Sequence, residues 1–203
     1  MATETGSGPL RCFVAVGLPA ETKSWLWGMT SKIRSVHRDL KWVAPENYHV
    51  TLLFLGDIQR EAISGLKKLL KQAVSGFGPF EASIGAPGCF PARGAPRVLY
   101  AGIDAGRKEL VSLAGRVREA LAAAGFSDDK PFQAHVTVAR SSRRAAASSL
   151  TPFTWTSSFD EESGGRRDAG DRRFGVAEVL LMRSVLRPEG PVYSVLERFT
   201  LGG

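Results

Sequence analysis

The frame His-Val-Thr-aliphatic occurs twice, at His49-Val50-Thr51-Leu52 and at His135-Val136-Thr137-Val138, and uses two of the three histidines in 203 residues. Each copy lies in a run of β-formers, YHVTLLFLG at 48–56 and FQAHVTVAR at 132–140. Strand side chains alternate between faces, so His and Thr two positions apart share a face, separated by about 7 Å along the strand. Val50, Leu52 and Phe54 are expected on the opposite face, as are Val136 and Val138. Each copy therefore specifies a strand with an imidazole and a hydroxyl on an open side and an apolar back. Such a strand needs a sheet covered by helices on one face and left accessible on the other.

The rest of the chain supplies the remaining pieces. LRCFVAVGL (10–18) reads as a buried strand ending at Pro19. Trp25, Leu26, Met29 and Ile33 recur at helical spacing, predicting a helix over 20–36. Residues 40–43 are a short extended piece, and 58–74 an amphipathic helix with Leu66, Leu69, Leu70 and Val74 inward. PFEASIG and PRVLYAGI are strands separated by a Gly/Pro-rich loop, APGCFPARGA. A strong helix covers 106–125, with Gly125 as its stop. FGVAEVLLMRSVL and PVYSVLERFTL are two closing strands joined by a turn at Arg187-Pro188-Glu189-Gly190. Residues 1–9 are small and polar and read as disordered. The charged stretch 157–173 has no apolar period and reads as a mobile loop within a single bilobal domain, 10–203.

The order repeats weakly as strand, helix, His-Val-Thr strand. The two histidines are 86 positions apart (135 − 49), close to half the structured length, as a duplication would produce. Placed on opposite sides of a cleft about a pseudo-two-fold axis, the strands would bring two imidazoles and two hydroxyls together. That set suits a tetrahedral anion: the hydroxyls hold non-bridging oxygens, one imidazole takes a proton and the other gives one. Histidine fits the task because its unperturbed pKa lies near neutrality. A single His-Val-Thr carries little information, since Val and Thr are ordinary strand residues; the repetition carries the inference. His37 lacks that context and reads as surface.

Other chemistries are less well supplied. Zinc usually needs three or four closely spaced ligands, and neither motif has a second His, Asp or Cys nearby. There is no Gly-x-Ser-x-Gly elbow and no Gly-x4-Gly-Lys-Ser/Thr phosphate loop. The net charge of +7 favours acidic partners such as nucleic acid. Cys12 and Cys89 form no disulfide framework, which points to a reducing compartment. No signal peptide is visible and no apolar run approaches the length of a membrane span, so the expectation is a soluble cytoplasmic protein.

At these residues the chain resembles the two-histidine phosphoesterase superfamily, and within it the LigT-like RNA 2′,3′-cyclic phosphodiesterases. RCFVAVGLP resembles the family's opening strand, WVAPENYHVTLLFLGD its first motif segment and FPARGAPRVLYAGI its central hairpin. KPFQAHVTVAR resembles the second motif segment, and VLLMRSVLRPEGPVYSVLERFTL the closing strands. The resemblance implies an α+β, bilobal, pseudo-two-fold fold: two antiparallel sheets with outer helices around a central groove. It also implies metal-independent opening of a terminal 2′,3′-cyclic phosphate on RNA to a 2′-phosphomonoester, with no cofactor. By position, His135 would be the base that activates water and His49 the acid that protonates the 3′-oxygen. Thr51 and Thr137 would bind phosphate oxygens, with Arg140 a candidate phosphate contact. The motifs themselves are too alike to separate acid from base. The segment 157–173 departs from the pattern and is either a disordered insertion or a basic flap carrying Arg166, Arg167, Arg172 and Arg173.

Alternatives stand beside this one. The substrate could be a small cyclic nucleotide or sugar phosphate, or the enzyme could join RNA ends in reverse. A non-catalytic RNA-end binding module is a third reading. In each case the partner is an anionic, phosphate-bearing ligand, with no membrane and no obligate protein partner, and the chain is expected to be a monomer.

Overall fold

The computed structural model describes residues 8–127, 130–141, 172–188 and 190–202. The chain folds as an α+β molecule. Its strands are β1 (Leu10–Gly17), β2 (Lys41–Trp42), β3 (His49–Ile58), β4 (Phe80–Phe90), β5 (Val98–Ile103), β6 (His135–Arg140), β7 (Arg173–Val176), β8 (Glu178–Arg187) and β9 (Gly190–Thr200). The α-helices are α1 (Ala20–Met29), α2 (Ser31–Val36), α3 (Ile63–Val74) and α4 (Arg107–Ala122).

The strands follow the order β7-β4-β5-β6-β3-β1-β8-β9, with β2 also on β6. Every pairing is antiparallel. The path curls, because β7 at one end leads through the single residue Ala177 into β8 near the other. The two expected sheets are the two halves of this path. The His49 half is β3-β1-β8-β9 and the His135 half is β7-β4-β5-β6.

The halves meet at one backbone pair, Val50↔Val136. These are equivalent residues of the two motifs. An antiparallel strand pair has a local two-fold axis, and a residue paired with its own counterpart lies on that axis. The duplication inferred from spacing thus takes geometric form. In both halves a strand–helix–strand passage places the motif strand beside its predecessor, β3 on β1 and β6 on β5. Each histidine faces a glycine across the ladder, His49 opposite Gly17 and His135 opposite Gly102.

The core lies between the sheet and the helices. Leu110, Leu113, Val117 and Leu121 of α4 are fully buried, as are Val50, Val136 and Val138 from the backs of the motif strands. Leu66, Leu70 and Val74 of α3 fill the same cluster, while Leu69 is partly buried against it. The start of α4 is set by Gly106, whose φ is +76 and whose Cα lies so close to β4 that an added Cβ would stand 2.6 Å from the Glu81 carbonyl oxygen. Only glycine meets both conditions without strain.

Four readings of the sequence are corrected. The helix expected over 20–36 is broken at Thr30, which has φ −94 and ψ 2 and returns its hydroxyl to the Trp27 carbonyl at 2.9 Å. The Gly/Pro-rich stretch read as a loop is strand as far as Phe90, because β4 absorbs an irregularity between Ile84 and Pro87. FGVAEVLLMRSVL is two strands: Phe80–Ser83 of β4 pair with β7, whereas β8 pairs with β1 and β9. Alternation runs through such a change of partner, so sequence pattern alone does not reveal it. Finally, Phe54 does not lie on the core face, for a reason that bears on the site.

The expected disorder at 1–7 and most of the loop at 157–173 lie outside the described residues. Of that loop's candidate arginines, Arg173 begins β7 and stands 3.5 Å from Glu81, and the Arg172 guanidinium lies 5.4 Å from the centre of the Trp25 ring. Arg166 and Arg167 are not among the described residues.

Candidate active site

Each motif strand carries one extra residue, at the same place. Across the β1–β3 ladder Thr51 pairs with Ala15 and Leu53 with Val14, leaving Leu52 as a bulge. Across β5–β6 Thr137 pairs with Tyr100 and Ala139 with Leu99, leaving Val138 as a bulge. A bulge inserts a residue without a cross-strand partner and so reverses the parity of everything after it. Leu52 and Leu53 are both buried, as are Val138 and Ala139. Phe54 and Arg140, which strict alternation puts behind the sheet, come round to the face of the histidines. Phe54 is 46% exposed there, and Arg140 is exposed with its register partner Lys41 beside it.

His49, Thr51, Phe54, Thr137 and Arg140 line one groove with a volume of about 1390 Å³. His135 stands beside this groove, and a positive charge on it is felt at His49. The structure therefore gathers all five residues singled out from the sequence around one concave face.

The two imidazoles are held alike. His49 Nδ1 lies 2.7 Å from the Asn47 carbonyl oxygen, and His135 Nδ1 lies 2.7 Å from the Gln133 carbonyl oxygen. A carbonyl only accepts, so each Nδ1 carries the proton and each Nε2 is the nitrogen free for chemistry. Both rings sit between a phenylalanine and a tyrosine. His49 is 4.8 Å from Phe13 and 5.3 Å from Tyr193 between ring centres. His135 is 5.2 Å from both Phe90 and Tyr100.

They differ in three respects. His49 Nε2 lies 3.0 Å from Thr51 Oγ1, so in the neutral ring the hydroxyl donates to it. Among the described residues Thr137 makes no comparable bond to His135. Burial drives the His49 pKa down to about 4; the Asn47 carbonyl opposes the shift, and the charges of Lys23, Arg140 and His135 add to it. The His135 pKa is also lowered by burial, with the Gln133 carbonyl opposing and Arg140 adding. Arg140 is thus electrostatically present at both imidazoles. Burial raises the Tyr193 hydroxyl, against the pull of Arg140.

Alternation identified the imidazoles and hydroxyls but not their surroundings. Lys23 of α1 lines the groove, and its ammonium donates to the Glu46 carbonyl at 3.0 Å. Asn47 and Gln133 stand at the same place relative to the motifs, so extending the repeat two residues backward exposes a carboxamide in both. Phe13, Tyr193, Phe90 and Tyr100 arrive from other strands and leave no local signal. Among the described residues, no group of three or more His, Cys, Asp or Glu side chains is placed to hold a metal ion. No helix of those residues is long and apolar enough to cross a membrane.

Comparison with known proteins follows the same outline. The model of the 2'-5' RNA ligase superfamily matches residues 22–185. The chain is 34% identical over 190 residues to an RNA 2',3'-cyclic phosphodiesterase of Archaeoglobus fulgidus, covering 94% of this chain and 99% of that one. It is 35% identical over 206 residues to a protein of the same name from Thermus thermophilus, covering 96% and 91%. Among solved structures, TT0787 of Thermus thermophilus superposes with a TM-score of 0.75 at 31% identity, over 96% of this chain and 99% of that one. E. coli LigT complexed with 3'-AMP superposes with a TM-score of 0.70 at 25% identity, over 96% and 99%.

Proposed function

Because the chain belongs to the 2'-5' RNA ligase superfamily, we propose that its groove opens 2′,3′-cyclic phosphate ends of RNA to 2′-phosphomonoesters, with His49 and His135 as the acid–base pair. The observation that carries this reading is the convergence of two Nδ1–H imidazoles, two threonine hydroxyls and Arg140 about a local two-fold axis. Thr51, Thr137 and Arg140 hold the phosphoryl oxygens. His135 Nε2 takes the proton of the attacking water, and His49 delivers a proton to the departing 3′-oxygen. Water adds one O–P bond, the P–O3′ bond breaks, and one proton passes to each side.

The asymmetry between the histidines supports this assignment. The imidazolium with the lower pKa is the stronger acid, and His49 carries the larger downward shift. Its protonated form is scarce in the empty groove at neutral pH. An anion beside it favours that form, so substrate binding loads the acid. Arg140 and both hydroxyls are donors to the charge that accumulates on the phosphoryl oxygens. No step requires a metal, a cofactor or a covalent intermediate. The protein acts as a monomer in the cytoplasm, and RNA is the partner its basic balance favours.

The test is product analysis. An oligonucleotide ending in a 2′,3′-cyclic phosphate, incubated with enzyme and EDTA, is expected to yield a 2′-phosphate terminus. A 3′-phosphate product, or loss of activity in EDTA, would overturn the reading. The same assay with cyclic mononucleotides decides between RNA and small cyclic nucleotides, the reading with the less anionic substrate.

A further inference from the structure

The Nδ1–H tautomer of each histidine depends on a backbone carbonyl that no sheet ladder fixes. Asn47 precedes β3, in the turn Pro45–Asn47, and Gln133 precedes β6 in irregular chain. A carbonyl outside a ladder is free to turn with its peptide plane, and an imidazole bonded to it turns too. In both places the side chain of the same residue removes that freedom. Asn47 Nδ2–H donates to the Pro191 carbonyl on β9 at 2.9 Å. Gln133 Nε2–H donates to the Tyr100 hydroxyl on β5 at 2.7 Å. Each carboxamide ties its residue to a neighbouring strand while its own carbonyl receives the histidine.

We propose that Asn47 and Gln133 are positioning residues, each using its side-chain amide to aim the carbonyl that fixes its histidine's tautomer and ring plane, and that the Tyr100 hydroxyl completes the device on the His135 side. The proposal rests on the acid–base roles given above to His49 and His135.

The Tyr100 end is built for this task. Tyr100 pairs across the ladder with Thr137, and its ring lies 5.2 Å from His135. The ring occupies the space over Gly88, where an added Cβ would stand 2.4 Å from the hydroxyl. The phenol therefore cannot withdraw toward β4 if Gln133 moves. It is a fixed post to which the glutamine is tied. On the other side the post is a backbone carbonyl, and only the His135 anchor can be removed by changing a single functional group.

That difference supplies the test. Tyr100→Phe keeps the ring over Gly88 and against His135 and deletes only the hydroxyl; Gln133→Leu deletes the other partner. Both are expected to lower kcat on a cyclic-phosphate-ended oligonucleotide by about tenfold to a hundredfold with little change in KM, as a displaced proton-transfer group does. The double variant falls no further than either single one. In the substrate-free protein, ¹⁵N NMR of the imidazoles is expected to show His135 changing from the Nδ1–H tautomer to a mixture, while His49 is unchanged. Asn47→Ala does the converse. Wild-type kcat and unshifted His135 nitrogens in Tyr100→Phe would overturn the proposal. Equal disturbance of both histidines would do so too, by indicating a general loss of structure. The NMR measurement needs no turnover. A wild-type protein inactive on cyclic phosphates would therefore sink the proposed function and leave the tautomer result to decide this one.

Discussion

At the scale of the residue, the two histidines are chemically the same group held in nearly the same way, yet they titrate differently. Replacing either by Ala is expected to reduce kcat by roughly 10²–10⁴-fold, measured on a cyclic-phosphate-ended oligonucleotide in EDTA. Both pKa values lie below the ordinary 6.5 in the empty groove. The kcat/KM profile, which reports the free enzyme, should therefore peak on the acid side of that value and decline as pH rises past the upper of the two. The kcat profile, which reports the complex, should lie at higher pH, because bound phosphate favours both imidazolium ions. A kcat/KM optimum at pH 8 would contradict the depressed values. Stability carries the same signature. With a folded pKa of about 4 against 6.5 unfolded, the unfolded chain binds the proton first, so stability is fully present above the unfolded value and is lost as pH falls toward the folded one. Denaturant titrations at pH 7 and pH 5 should show that loss, and His49→Asn should diminish it.

At the scale of the element, the paired bulges decide what the groove contains. The sequence made the strands, the histidines and the threonines legible because alternation is a two-residue rule and the motifs obey it. It misplaced Phe54 because a bulge breaks that rule, and bulges are set by cross-strand register. The trace they leave is two consecutive apolar residues after each Thr, Leu52-Leu53 and Val138-Ala139, a pattern that also suits an ordinary strand. The change of partner at Ala177 is hidden for the same reason: β7 and β8 each satisfy the strand pattern, and only tertiary pairing divides them. Arg140 owes its place to the second bulge. Arg140→Gln is expected to raise KM for oligonucleotide ends and to reduce the slope of log KM against log salt by about one. Deleting Val138 would restore simple alternation and turn Arg140 away, with the same loss of affinity. An unchanged salt slope in Arg140→Gln would argue against its contact with phosphate.

At the scale of the whole molecule, the halves share one strand path and one apolar cluster that includes α3, α4 and both motif strands. They should unfold together. Far-UV and near-UV circular dichroism are expected to report coincident denaturant transitions, and Val136→Ala, at the fully buried joint, should cost about 2 kcal/mol without separating them. The pair Val50↔Val136 has another consequence. In a true homodimer built about such an axis, each change in one subunit appears in the other, so the two walls of the shared cleft are identical. Fusion into one chain lifts that obligation. Position 54 can be an aromatic ring while its counterpart 140 is a cation, and Thr51 can engage its imidazole while Thr137 stays free for ligand. A symmetric scaffold thereby becomes a polarised one: the ends of a bound phosphate meet unlike surroundings, and the direction of proton flow is written into the difference between the copies.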